Sequence, residues 1–217
     1  MSRRENKLYT IISATICLAN LLGYPRLLKG KANTGFSLAH QSTPELNVRV
    51  YSFAGLSSWV LRGAEIEAAR MLHSVHIELK WIDCTSPVVH ASCMSIQLPT
   101  DLIVRFLPKA LSQVSTSALG IAGSSGDYGT AFIFYDRVAA LRTHTRFLPP
   151  MIGRVMAHEI THLLLPQQGH SDLGLMRAQW SADDLEPLSS ACLGLPSRSV
   201  QLIEKEALKR VLAARPR

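Results

Sequence analysis

No apolar run in this chain is long enough to read comfortably as a membrane span. The best candidate, Leu8 to Leu22, is short and is interrupted by Asn20. There is no internal repeat, which excludes a solenoid or propeller. There are only 4 cysteines and no CxxC pair, so a cysteine-bound zinc site is excluded. Aromatic residues make up 6 %, and no basic patch is interleaved with them, so nucleic acid is not an expected partner. The formal net charge is +7, but much of the excess lies at the ends: Arg3, Arg4, Lys7, Arg26, Lys29 and Lys31, then Lys205, Lys209, Arg210, Arg215 and Arg217. That distribution describes solvated tails rather than a binding face. With 47 % hydrophobic and 18 % charged residues over 217 positions, the chain has globular values and room for one substantial core.

What is present centres on residues 158 to 176, HEITHLLLPQQGHSDLGLM. On a helix His158 and His162 lie about 40° apart and roughly 6 Å along the axis, so two imidazoles can grip one metal ion from one face. Glu159 lies about 100° round from His158, where a base for a metal-activated water belongs. At this chain's own His and Glu frequencies the bare HExxH pattern arises by accident roughly once in a hundred such sequences. After the break at Pro166 and Gly169, His170 returns as the third expected ligand, with Asp172 the runner-up. His40, His73, His76, His90 and His144 have no ligand spacing and are read as surface residues. The expected cofactor is Zn2+.

Along the rest of the chain, Arg3, Arg4 and Lys7 precede the apolar run at 8–22, so residues 1–22 read as a signal segment and the chain as exported. Residues 23–46 read as a linker and 47–217 as the domain. Alternation predicts strands at Asn47 to Ala54 and Val75 to Asp83, with a helix at about Ser57 to His73 between them. Further strands are expected at Asp101 to Pro108, at Ala118 to Ser124 as a glycine-bearing edge, and at Thr130 to Asp136 after a turn at Gly126 to Gly129. A short helix should begin at Arg137. Pro149 and Pro150 then open the metal-bearing helix, which should stop at Leu165 before Pro166. On that helix Ile152, Met156, Ile160 and Leu163 share one stripe, and Met151, Val155, His158 and His162 another. Ser181 and Asp184 form a helix-cap pattern, and a last helix runs from about Ser199 to Ala214. Cys84 and Cys93 bracket one loop; export predicts a disulfide between them, a reducing compartment two thiols.

The motif resembles that of the zincin metallopeptidases and, within them, the metzincins, whose hallmark is HExxHxxGxxH followed by a Met-turn. His170-Ser171 and Leu175-Met176 are similar to the HS…LM ending of matrixin-like members. The stretch 158–180 also resembles a group of bacterial proteins, themselves read as exported, that carry HExxHxLL and then HSxxGxMxxxW. Two positions depart from the hallmark: Leu165 stands at the family's glycine, and His170 arrives two residues late. The resemblance implies an α+β fold: a mixed, twisted sheet of about five strands, a backing helix, an active-site helix and a small helical C-terminal part. It implies that Met176 is the Met-turn residue under the metal. Trp180 reads as a core residue before a substrate platform. Tyr128 and Tyr135 are minor candidates for polarising a substrate carbonyl.

The expected function is that of a secreted or periplasmic zinc endopeptidase. His158, His162 and His170 hold the ion, and Glu159 is the catalytic base. The partner is a peptide or protein substrate, extended along the edge near Ala118 to Ser124, and no stable membrane insertion is expected after processing. Two rival readings are a non-catalytic, zinc-stabilised binding module and a membrane-tethered surface protein.

Overall fold

In a strand successive side chains leave opposite faces, and the alternation after residue 44 does this. Strand β1 runs Glu45–Ser52, starting two residues inside the stretch read as linker. Its Leu46, Val48 and Val50 are fully buried in the core shared with the helices. The computed structural model describes residues 43–85, 91–125, 128–141, 145–165, 167, 169–172, 174–180 and 194–215, all within one compact unit, Ser42–Arg217. The signal segment, the linker up to residue 42, the turn at 126–127, Pro166, the cap at Ser181 and Asp184, and His40, His90, His144, Cys17 and Cys192 lie outside the described residues.

The other elements are α1 (Ser58–His73), β2 (Glu78–Asp83), a single turn α2 (Ala91–Met94), β3 (Asp101–Leu107), β4 (Gly120–Ser125), β5 (Tyr128–Phe134), α3 (Tyr135–Ala140), α4 (Leu148–Leu164) and α5 (Ser197–Ala213). The five strands form one sheet in the order β2-β1-β3-β5-β4. All neighbours are parallel except β4 and β5, so the fold is α+β with a mixed sheet and β4 is an antiparallel edge. Strand β5 sits two residues earlier than the alternation suggested. Tyr128 and Gly129, read as turn, belong to the strand, while Tyr135 and Asp136, read as strand, open α3. Two local bonds set that boundary. The Phe134 N–H donates to the Leu119 carbonyl, and the Asp136 carboxylate accepts from the Arg137 N–H in the first helical turn. No helix among the described residues is long and apolar enough to cross a membrane.

On the far face of the sheet Arg49 is buried, with Nη2 2.6 Å from Asp101 Oδ2. Its guanidinium also donates to the carbonyls of Ser95 and Ile96, and Asp101 accepts from Asn47 and from the Leu98 N–H. These bonds offset much of the cost of burying the ion pair, although Arg49 Nε has no partner among the described residues. This network ties the segment after β2 to the sheet. The disulfide expected between Cys84 and Cys93 closes that segment, with their Cα atoms 5.7 Å apart.

Helix α4 lies between α1, the sheet and α5. Both of its predicted stripes are therefore buried, and of the residues from Met151 to Leu165 only His162 is not. Such a position requires a mainly apolar helix, and α4 supplies one; its buried charged or titratable residues are Arg154, His158 and Glu159. Arg154 is fully buried and ion-paired to Glu67 of α1 at 3.2 Å. At the C-terminal end, Arg210 of α5 donates to the Leu163 carbonyl at 3.0 Å, where a cation suits the helix dipole.

Candidate metal centre

Prolines fit the first turn of α4, where a missing N–H costs nothing. The helix ends at Leu164, and Leu165 has φ −131° and ψ 58°, outside the helical region, as the following proline requires. Leu165 therefore does not make the left-handed turn that the hallmark assigns to a glycine there. Further on, Gly174 has φ +75°, a conformation that glycine adopts readily. Around it the Ser171 N–H donates to the Met176 carbonyl at 2.7 Å, and the Arg177 N–H to the Gly174 carbonyl at 3.2 Å. This loop returns the chain beneath the end of α4.

The return brings three imidazoles together. His162 Nε2 lies 3.1 Å from His158 Nε2 and 3.2 Å from His170 Nε2. Two nitrogens bound to one tetrahedral zinc at about 2.0–2.1 Å stand about 3.3–3.4 Å apart, so the observed spacing is close to that of a ligand set. Among the described residues, His158, His162 and His170 form the group of donors able to hold a metal ion. Asp172, the alternative third ligand, is exposed and outside that group.

The protonation states favour metal. His158 Nδ1 donates to the Leu175 carbonyl at 2.6 Å, which leaves the Nε2 lone pair free to face the other rings. Burial lowers the His158 pKa to about 4, against the opposing pull of that carbonyl, and the two neighbouring imidazoles lower it further. His162 is also lowered, first by burial and then by His170. Neutral imidazoles with converging Nε2 atoms suit Zn2+.

Glu159 is buried beside this group, and burial pushes its carboxyl up to about 8. A cation on the histidines would oppose that shift by favouring the carboxylate. Gly120 of β4 approaches Glu159 closely. A Cβ placed there would lie 2.7 Å from Glu159 Oε1 and 2.8 Å from the Phe132 carbonyl. The sequence had marked Gly120 only as one glycine of an edge strand, although a strand glycine is itself a signal of close approach. The histidines, Glu159, Leu119 to Ala122 of the β4 edge and Trp180 line one cleft of about 490 Å3.

Trp180 is half-buried against the core and meets His158 edge-on, with centroids 5.2 Å apart, so it serves both the core and the cleft wall. Met176 is buried and lines one small cavity together with His170. Tyr135 packs against the core and does not line the cleft, and the side chain of Tyr128 lies outside what the structure describes. His73 and His76 are exposed, next to Glu78 and Glu204 respectively.

No protein-family model and no curated protein matches the sequence. Solved structures do match. The archaemetzincin of Methanopyrus kandleri is 14 % identical with a TM-score of 0.54, and the match covers 80 % of this chain and 99 % of that one. A zinc-dependent peptidase from Methanocorpusculum labreanum (strain Z) is 14 % identical with a TM-score of 0.51, over 72 % of this chain and 99 % of its own. At such identity the likeness concerns the fold: this chain has an architecture similar to that of these two proteins.

Proposed function

We propose that this protein is a zinc-dependent peptidase of metzincin-like type. The observation that carries the reading is the convergence of three histidine Nε2 atoms beside a buried glutamate, in a cleft walled by an uncovered strand edge. A structural zinc site closes with a fourth side chain, whereas the group found among the described residues has three. That count supports an open, catalytic site over a binding module.

A zinc ion held there supplies Lewis acidity, polarising a scissile carbonyl and making water more acidic. The chain's own residues do the rest. The Glu159 carboxylate accepts a proton from the attacking water as its oxygen bonds to the carbonyl carbon. As the C–N bond breaks, the same carboxyl gives the proton to the leaving nitrogen. His158, fixed by the Leu175 carbonyl, keeps its ring aligned throughout. The backbone of β4 offers hydrogen bonds to an extended peptide laid along the cleft.

The finer reading, matrixin-like with Met176 as the Met-turn, rests on the HS…LM ending and on the burial of Met176 near His170. Export is also proposed. It is supported by the basic and apolar pattern at 1–22 and by a disulfide of the kind that oxidising compartments sustain. The test is metal analysis of the purified protein together with cleavage of a mixed peptide pool, with and without a chelator. One zinc per chain and chelator-sensitive cleavage are expected. Protein that binds zinc yet cleaves nothing would overturn the catalytic reading and leave the binding module.

A further inference from the structure

Arg137 stands apart from the histidines, yet it reaches the wall of their cleft. It lies in the first turns of α3, just after β5, with its guanidinium over the Phe134 ring, 5.3 Å from the centroid. From there Nη1 donates to two carbonyls far upstream, those of Ser115 and Ala118, the latter at 2.6 Å. The Ala118 N–H donates to the Ser115 carbonyl at 3.1 Å, so the two oxygens belong to the two ends of one turn. Ser115, Ser117 and Ala118 line the cleft, and Gly120, two residues on, abuts Glu159.

We propose that Arg137 is a positioning residue for substrate: it fixes the 115–118 turn, and through it the course of the β4 edge beside the metal centre. This rests on the peptidase reading. Arginine suits the task because its charge is permanent, the two N–H groups of Nη1 can serve two carbonyls, and its planar face can stack on an aromatic ring. Lysine brings the charge and the donors without the flat face that lies over Phe134. The strand itself is tied separately, by β5 pairing and by the Phe134 N–H on the Leu119 carbonyl at 2.9 Å. Loss of Arg137 therefore loosens the 115–118 turn and lets the β4 edge open more often, while the register of β4 on β5, the histidines and Glu159 are kept. The consequence falls on substrate binding and leaves the proton transfers alone.

Zinc-loaded wild type, Arg137→Lys and Arg137→Met test this with a peptide long enough to lie along β4 and a short one confined to the histidines. For the long peptide, KM should rise about tenfold in Arg137→Met, with kcat within about twofold of wild type and Arg137→Lys between them. The short peptide should show no change. Unchanged constants for the long peptide, or a fall in kcat alone, overturn the proposal. Hydrogen exchange on the same proteins needs no substrate: the amides of 118–125 should exchange about tenfold faster in Arg137→Met, with those of α4 unchanged. Uniform acceleration, or none, also overturns it. Exchange confined to the β4 edge in a wild type that cleaves no peptide would uphold the clamp and sink the peptidase reading instead.

Discussion

Strand β2 exposes Glu78, Lys80 and Asp83 along one edge of the sheet, whereas β4, on the other edge, reads GIAGSS and carries no charge. Charged side chains on an edge strand discourage another strand from pairing with it. The chain leaving β2 is also stapled at once by the Cys84–Cys93 bond. Strand β4 has neither protection, and its backbone runs beside three histidines and a buried carboxyl. One sheet thus has an edge that repels added strands and an edge whose hydrogen bonds run beside the histidine cluster. The comparison teaches that, on the proposed peptidase reading, edge chemistry points to the same side of the fold as the histidines do.

The strongest way to break that contrast is Glu159→Gln. It should cut kcat by about 10^2–10^4 while zinc content and fold are kept, because only proton transfer is lost. Full activity, or loss of metal from the variant, would separate the β4 edge from catalysis. Next in size, His170→Ala should weaken zinc binding on the order of a hundredfold in competition with a chelator, while Asp172→Ala should leave it unchanged. The reverse ranking would move the third ligand to Asp172.

A smaller and sharper test stays within β4. Gly120→Ala places a Cβ 2.7 Å from Glu159 Oε1 and should lower kcat about tenfold. Gly123→Ala meets nothing within 4 Å and should change kcat less than about twofold. Equal effects at the two positions would show that the edge acts as a whole and not through Glu159.

The smallest effect belongs at the protected edge. Burial raises the Glu65 carboxyl to about 7, with Asp83 at the end of β2 adding to the rise and Arg62 opposing it. The folded state thus holds this proton more tightly than the unfolded chain, whose Glu titrates at its ordinary 4.5. Stability contributed by Glu65 is therefore lost as pH rises from about 4.5 to about 7, and the penalty is full above that. Glu65→Gln should raise stability at pH 8 by about 1 kcal/mol after solvent screening, do little at pH 4, and leave cleavage untouched. Urea melts at the two pH values check this. A change in kcat/KM would mean that the two edges communicate.

Much of the centre was legible because its geometry is local. The four-residue spacing of His158 and His162 survives any helix, and Pro166 predicts where that helix stops. The alternation around Val48 and Val50 placed a strand correctly, since a period of two depends on neighbours alone. What the sequence hid were contacts between distant segments. Nothing near Arg137 announces the carbonyls of Ser115 and Ala118, and nothing near Gly120 announces Glu159. The two-residue shift of β5 has a related cause: TAFIFYD continues the apolar pattern past Phe134, but pairing with β4 ends at Ile133 and with β3 at Phe134. The stripes read on α4 do separate, since Val155, His158 and His162 line the cleft and Ile152, Met156, Ile160 and Leu163 do not, but nearly all of both is buried because α1, the sheet and α5 pack around the helix.

The bond from His158 to the carbonyl of Leu175 has one more consequence, for mutation. Where a side chain orients a metal ligand, a single codon change can remove it. Here the acceptor is a main-chain oxygen, which every amino acid carries, so substitution at 175 leaves it in place as long as the loop keeps its course. The vulnerable letter lies next door, at Gly174, where an added Cβ would stand 2.2 Å from the Gly194 carbonyl on a backbone of positive φ. The alignment of His158 is thus inherited through the path of the loop and is blind to the identity of the residue that provides it.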